Sequence, residues 1–331
     1  MSGLDELLDG LPGPDEMARA AVRARADAVL RPAGALARLD EIAVWLAGWQ
    51  RTDHPAVDRP ATIVFVADHG VAAAEVSAYP AEVTKSMLAA LEAGVATAAV
   101  MSEVVGARFL VADVGVGQPT GDIRSEPALS VARFDESIDA GRDAVATAAE
   151  GGADLLVLGE MGIGNTTAAA AVCAAAFRGS AGDWTGRGTG VDDATFARKL
   201  AAVEAASARS AGMAPLEILR LAGGAELVAI AAAVIEARRR SIPVILDGFV
   251  VGASVAPLHL ARRGSLDHCI AGHVSAESGH ARLLTELGKE PVVDLGMRLG
   301  EGSGALVALP IVRLAAASVT GVATFAERGL A

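Results

Sequence analysis

Gly159-Glu160-Met161-Gly162-Ile163-Gly164-Asn165-Thr166-Thr167, followed by the alanine run Ala168 to Ala171, decides the fold class of this chain. In front of it, Asp154-Leu155-Leu156-Val157-Leu158 is a short apolar run of the kind that forms a buried strand. Behind it the alanines, with Val172, Ala174 and Phe177, read as a helix with Asn165 or Thr166 as its cap. Strand, glycine-rich turn and capped helix together present free backbone N–H groups and a positive helix end to an anion. A phosphate suits that geometry.

Two nucleotide-binding motifs compete for the stretch. Gly159 to Thr166 has the P-loop spacing of two glycines with four residues between them, but Asn165 stands where the P-loop needs its lysine. With Glu160 inside the turn as well, the outer phosphates of a triphosphate would be poorly held. The dinucleotide fingerprint wants glycines at first, third and sixth positions, and here they fall at first, fourth and sixth. The expectation is a monophosphate site, against the plainer alternative of a tight strand-to-helix turn with no ligand.

Working outward, five further apolar runs resemble Leu155 to Leu158: Ile63 to Ala67, Phe109 to Ala112, Val244 to Leu246, Cys269 to Ala271, and Val292 to Val293. Helical patterns fill most of the gaps, at Pro80 to Leu91, Asp139 to Glu150, Asp193 to Ser210, Pro215 to Leu221, Ala225 to Arg239 and Ser275 to Leu287. Two amphipathic segments, Glu16 to Leu30 and Leu36 to Trp49, precede them, and a helix from Gly304 to about Arg328 follows. Alternating strand and helix predicts an α/β fold with a mostly parallel six-stranded sheet covered on both faces. No linker marks a border for the terminal helices.

Composition narrows the function. Of the 331 residues 52% are hydrophobic and only 3% aromatic, with 37 glycines, enough material for one large or two modest domains. No apolar run is expected to reach the roughly 18–20 residues of a membrane helix, and no signal core opens the chain, so a cytoplasmic location is expected despite the positive mean hydropathy of +0.42. The net charge of −12 speaks against nucleic acid and gives no polybasic membrane patch. Cys173 and Cys269 read as two reduced, packed thiols.

Ligands of parallel sheets bind at the carboxyl ends of the strands. Those ends carry Asp68-His69-Gly70, Asp113, Glu160, Asp247-Gly248 and Asp294, a group of acids that suits a substrate with a cationic part better than a polyphosphate. Arg298-Leu299-Gly300-Glu301-Gly302-Ser303-Gly304 is a second glycine-dense turn, in which Glu301 can serve as a general base if its pKa is tuned. Ser303 is not in a nucleophile elbow, which wants glycines two residues to either side, where Glu301 and Ala305 stand. Gly186 to Asp193 is a third glycine loop, opening a helix whose Lys199 is a candidate phosphate counter-charge. His273, Glu277 and His280 are spaced to share one helical face and hold a metal, but no metal motif accompanies them, so no metal or cofactor is expected. Ser275 beside them is the better ligand contact.

Together these stretches resemble one family, the nicotinate-nucleotide–dimethylbenzimidazole phosphoribosyltransferases of cobalamin biosynthesis. The likeness rests on Val66 to Val71, Val76 to Pro80, Gly159 to Thr167, Gly186 to Asp193, Leu246 to Phe249, His273 to Glu277 and Met297 to Gly304, and runs from about Pro32 to Phe325. The resemblance implies a Rossmann-like large domain, here residues 56–304, and a small helical domain from both chain ends, residues 1–55 and 305–331, assembled as a homodimer. It implies transfer of phosphoribose from β-nicotinate mononucleotide to dimethylbenzimidazole, giving α-ribazole phosphate and nicotinate. By carry-over, Glu301 is the general base and Glu160 a second acid at the reacting end. Gly162, Gly164, Asn165, Thr166, Lys199, Asp247, Gly248, Ser275, Arg298, Leu299 and Gly300 are the phosphoribose contacts, and Asp68, His69, Tyr79 and Met87 the base contacts.

Two departures bear on the acceptor. Arg31-Pro32-Ala33-Gly34-Ala35-Leu36 stands where the family has Lys-Pro-Pro-Gly-Ser-Leu, and Met87 falls where some relatives carry glutamine. Purines and phenolic compounds are therefore alternative acceptors. A non-catalytic mononucleotide sensor is the alternative from another class.

Overall fold

A computed structural model describes residues 3–177, 179–188 and 190–330. Thr189, in the third glycine loop, lies outside the described residues. In chain order the elements open with α1 (Gly3–Leu7), α2 (Glu16–Ala28), α3 (Arg38–Gln50), β1 (Pro60–Ala67), α4 (Val83–Glu92), α5 (Thr97–Val104) and β2 (Arg108–Gly115). The middle of the chain forms α6 (Val131–Glu150), β3 (Leu155–Met161), α7 (Asn165–Ala176), α8 (Ala181–Trp184), α9 (Asp193–Ser210), α10 (Pro215–Ala222) and α11 (Ala225–Arg239). It ends in β4 (Val244–Leu246), α12 (Phe249–Ala261), β5 (Cys269–His273), α13 (His280–Leu287), β6 (Pro291–Val293) and α14 (Ser303–Thr320).

All six expected strands form one sheet in the order β2-β1-β3-β4-β5-β6, and every pairing is parallel. The apolar runs explain why. A strand buried on both faces reads as continuous hydrophobicity, and β1 is buried at all eight positions. Its residues alternate between two cores: Ala61, Ile63, Phe65 and Ala67 join the one that includes α7 and α11, whereas Val64 and Val66 join the one that includes α14. The chain steps from β1 to β2 on one side, then crosses back past β1 to β3 on the other, so the reversal of strand order falls between β1 and β3. That is where an open parallel sheet offers a crevice at its carboxyl edge.

Two helices lack an exposed face for structural reasons. In α11 fourteen consecutive residues, Ala225 to Arg238, are buried, the charged Glu226, Glu236 and Arg238 among them. It packs so closely on α6 that a Cβ at Gly141 would stand 2.1 Å from the Ala229 carbonyl oxygen. In α7, Ala168 to Ala171 are fully buried. The stretches 83–104 and 303–320 are, contrary to expectation, long and apolar enough to cross a membrane. The first is broken at Gly94, whose φ is +72°. In α14, Leu306, Leu309, Val312 and Ala315 are fully buried in the sheet's second core. A third, smaller cluster joins Val22, Ala26, Ala43, Val44 and Ala47 from the first helices to Val319 of α14.

Several boundaries differ from those expected. The Ser130 hydroxyl caps α6 at Arg133 N–H, so the helix starts eight residues before Asp139. The C-terminal helix stops at Thr320, and α5 and α12 form where no helix was expected. α13 starts at His280, not Ser275. His273 therefore ends β5, Glu277 lies in the loop and His280 opens the helix, so the three do not share a helical face.

Candidate active site

The β3–α7 turn is built as its sequence suggested, with one correction. Gly164, in the left-handed region at φ +96°, is the N-cap of α7, and neither Asn165 nor Thr166 takes that place. Asn165 is instead the first helical residue, and its side-chain amide donates to the Glu160 carboxylate. The helix start thus keeps its N–H groups free of a side-chain cap, the arrangement that favours an external anion. The turn is pinned from α4, where the buried Thr84 hydroxyl accepts the Ile163 N–H at 3.1 Å.

The cation that this turn lacks in sequence is supplied by α9. Lys199 is 1% exposed and its Nζ donates to Thr166 Oγ1 at 2.9 Å. Burial lowers its pKa to about 8, against an opposing pull from Glu277. Gly188 closes over the pair, for a Cβ there would stand 3.2 Å from Nζ, and its carbonyl accepts from Arg298 Nη1 at 2.8 Å. Three distant segments, at 164–166, 188 and 199, therefore meet around the Lys199 ammonium.

At the other end the turn Gly300-Glu301-Gly302 lies against the end of β3. All three residues have left-handed φ, +88°, +62° and +83°, and for Glu301, which has a Cβ, that backbone is strained. The turn is held by Glu301 N–H to the Glu160 carbonyl at 3.0 Å and Gly302 N–H to Asp247 Oδ2 at 3.2 Å. A Cβ at Gly159 would stand 2.2 Å from Gly302 N, so only glycine lets the turn sit there. The Glu301 carboxylate accepts the Ala98 N–H at the start of α5, at 3.2 Å.

Both glutamates are held above the usual carboxylate range. For Glu160 burial is the main cause, reinforced by the charges of Asp247, Glu226 and Glu301 and opposed by the Asn165 amide. For Glu301 burial leads, the Ala98 N–H opposes it, and Asp247 adds to it. A carboxylate raised in this way is a stronger base than a free one when ionised.

Both ends line one cavity of about 380 Å³. Of the expected site residues, Glu160, Glu301, Gly162, Gly164, Asn165, Thr166, Lys199, Gly248, Arg298, Leu299, Gly300, Tyr79 and Met87 are on its wall. Asp247, Ser275, Asp68 and His69 are not. Asp247 is spent on the N–H groups of Gly302 and Ala305, and the Ser275 hydroxyl accepts the Glu277 N–H. Asp68 accepts the Gly117 N–H at 2.7 Å. His69 is buried behind the phosphate turn, its Nε2 2.6 Å from Glu226 Oε1. Asp113 likewise holds its own turn, through Gly115 and Val116 N–H.

The sequence reading missed an apolar wall. Val76, Val83, Met161, Ile163, Val191, Phe249 and Val250 also line the cavity. In sequence they are indistinguishable from core residues. Arg187 and Glu277, each inside a motif already singled out, line it too. No cluster of three or more metal-ligating side chains occurs among the described residues.

Comparison with known proteins gives one consistent result. A family described as Phosphoribosyltransferase matches residues 11–330. The nicotinate-nucleotide–dimethylbenzimidazole phosphoribosyltransferase of Cereibacter sphaeroides is 48% identical over 333 aligned positions, covering 100% of this chain and 97% of the relative. The protein of the same name from Methylocella silvestris is 47% identical, covering 100% and 96%. Among solved structures, CobT from Thermus thermophilus superposes with a TM-score of 0.91 at 40% identity, covering 95% of this chain and 99% of that one.

Proposed function

The chain belongs to the phosphoribosyltransferase family, and from that premise we propose that it moves phosphoribose from β-nicotinate mononucleotide to 5,6-dimethylbenzimidazole. The observation that carries the reading is the pairing, in one cavity, of a phosphate cradle at Gly164, Thr166 and Lys199 with a buried, raised carboxylate at Glu301.

The phosphate arm of the donor rests on the α7 start and Lys199. Its ribosyl carbon C1′ lies towards Glu160 and Glu301, and the acceptor ring stacks on Val76, Tyr79, Val83 and Met87. One ring nitrogen of the benzimidazole attacks C1′ on the face opposite the departing ring. The electron pair of the broken C1′–N bond returns to the pyridinium, which leaves as nicotinate and needs no proton. The hydrogen on the other benzimidazole nitrogen passes to Glu301, and the anomeric centre inverts to α-ribazole 5′-phosphate. Positive charge that develops on the ribosyl ring is stabilised by Glu160. No pyrophosphate leaves, so the chemistry calls for no metal or other cofactor.

Homodimer formation belongs to the same reading, in a cytoplasmic setting. Val100 and Val104, one turn apart on α5, and Leu314 on the neighbouring α14 are 48%, 80% and 62% exposed, an apolar face that a second copy would cover. Light scattering of the purified protein is expected to give twice the chain mass.

The direct test incubates protein, β-nicotinate mononucleotide and dimethylbenzimidazole and separates the products. Nicotinate and α-ribazole phosphate should appear in equal amounts, and only with both substrates present. Mononucleotide binding with no nicotinate release in the presence of any base would turn the reading to a sensor.

A further inference from the structure

Glu277 has no role in the reaction as written, yet it is placed like a ligand-reading group. It sits in the loop between β5 and α13, with its N–H fixed on Ser275 Oγ at 3.1 Å. The side chain lines the same cavity as Lys199 and Gly188. The opposite loop makes room for it, since a Cβ at Gly186 would stand 2.0 Å from Glu277 Oε2.

The residue is only 9% exposed, and among the described residues its carboxylate has no hydrogen-bond partner; Oε2 is sealed off without one. Nor does it form an ion pair within 4.0 Å among those residues, because Lys199 Nζ is directed at Thr166. A buried carboxylate left unpaired in this way is costly and calls for a donor. The candidate donors differ sharply in fit. A metal lacks the further ligands it would need. A phosphate oxygen offers like charge. A hydroxyl group offers a neutral hydrogen to Oε1, the oxygen that is not sealed off.

We propose that Glu277 accepts the hydroxyl hydrogens of the sugar, so that the cleft requires a ribosyl rather than a deoxyribosyl phosphate. This rests on the phosphoribose reading above. The sugar is tethered at C5′ by its phosphate beside Lys199 and at C1′ beside Glu301, which leaves the 2′- and 3′-hydroxyls to face the intervening wall. A ligand without the matching hydroxyl leaves the carboxylate unpaired again, which discriminates by roughly 10- to 100-fold.

Calorimetric titration with β-nicotinate mononucleotide and with its 2′-deoxy and 3′-deoxy analogues tests this without turnover. Wild-type protein should bind at least one deoxy analogue roughly 10- to 100-fold more weakly than the ribonucleotide, and Glu277→Ala should bring that ratio close to one. Glu277→Gln keeps the volume and one acceptor oxygen, and should give an intermediate ratio if the alanine variant fails to fold. Equal affinity of the wild type for all three ligands would overturn the assignment, as would equal weakening of all three in the variants with the ratios unchanged. Failure of the wild type to bind the ribonucleotide at all would instead overturn the phosphoribose reading itself.

Discussion

At the proposed phosphate end the cavity is lined by the turn Gly164 to Thr166, the Lys199 ammonium and the Glu277 carboxylate. At the reacting end it is lined by the carboxylates of Glu160 and Glu301, with Asp247 directly behind them. One end sets the Lys199 ammonium beside a single carboxylate, Glu277; the other gathers two carboxylates whose pKa values burial raises. A molecule that is anionic at its phosphate and cationic at its ring, as a pyridinium mononucleotide is, lies along that gradient in one direction only. The contrast therefore gives orientation as well as affinity.

Removing the acid end should have the largest effect. Glu301→Gln is expected to fold as the wild type does and to lose about 10²–10⁴ in kcat, with KM for the mononucleotide little changed, as steady-state nicotinate release would show. Wild-type kcat in the variant would leave the two ends chemically equivalent and end the base assignment.

Removing the positive end should act on binding instead. Lys199→Met should weaken mononucleotide affinity by roughly 10- to 100-fold, the worth of one charge-assisted hydrogen bond. The ammonium is charged below its pKa of about 8 and neutral above it, so wild-type affinity should fall as pH rises through that value. A calorimetric pH series should be flat there in the variant.

The joint between the ends can be strained without touching a charge. Gly159→Ala drives a Cβ into the backbone at Gly302, an overpacking that costs about 1–3 kcal/mol. The melting midpoint should drop by a few degrees and kcat should fall with it, because the Glu301 turn must shift. The smallest effect is expected at an acid that resembles the proposed catalytic residue Glu160 only in sequence. Asp113→Asn weakens two turn hydrogen bonds, worth about 0.5–1.5 kcal/mol, and should leave both kcat and KM unaltered.

That last contrast shows where the sequence was legible and where it was not. The strands could be read because double burial writes itself as unbroken apolar runs, and the β3–α7 turn because glycine spacing is local. The acids at the strand ends look alike in sequence, since each follows an apolar run, but Asp68, Asp113 and Asp247 turn to nearby N–H groups. Of those strand-end acids Glu160 lines the cavity, where its backbone pairs with that of Glu301. Which acid finds a local N–H depends on loop geometry that spacing does not record. The start of α5, which holds Glu301 through Ala98, carries no side-chain cap and so gave no signal. α12 is apolar throughout with Pro257 inside it, and its first two residues serve as cavity wall under the guise of core.

The contact between Gly159 and the Gly302 backbone has a mechanical corollary. The Glu301 backbone is fastened to the end of β3, through its N–H on the Glu160 carbonyl and the close approach of Gly302 to Gly159. Whatever motion admits and releases the aromatic partners is left to the opposite rim, where Tyr79 stands half in water at the approach to α4.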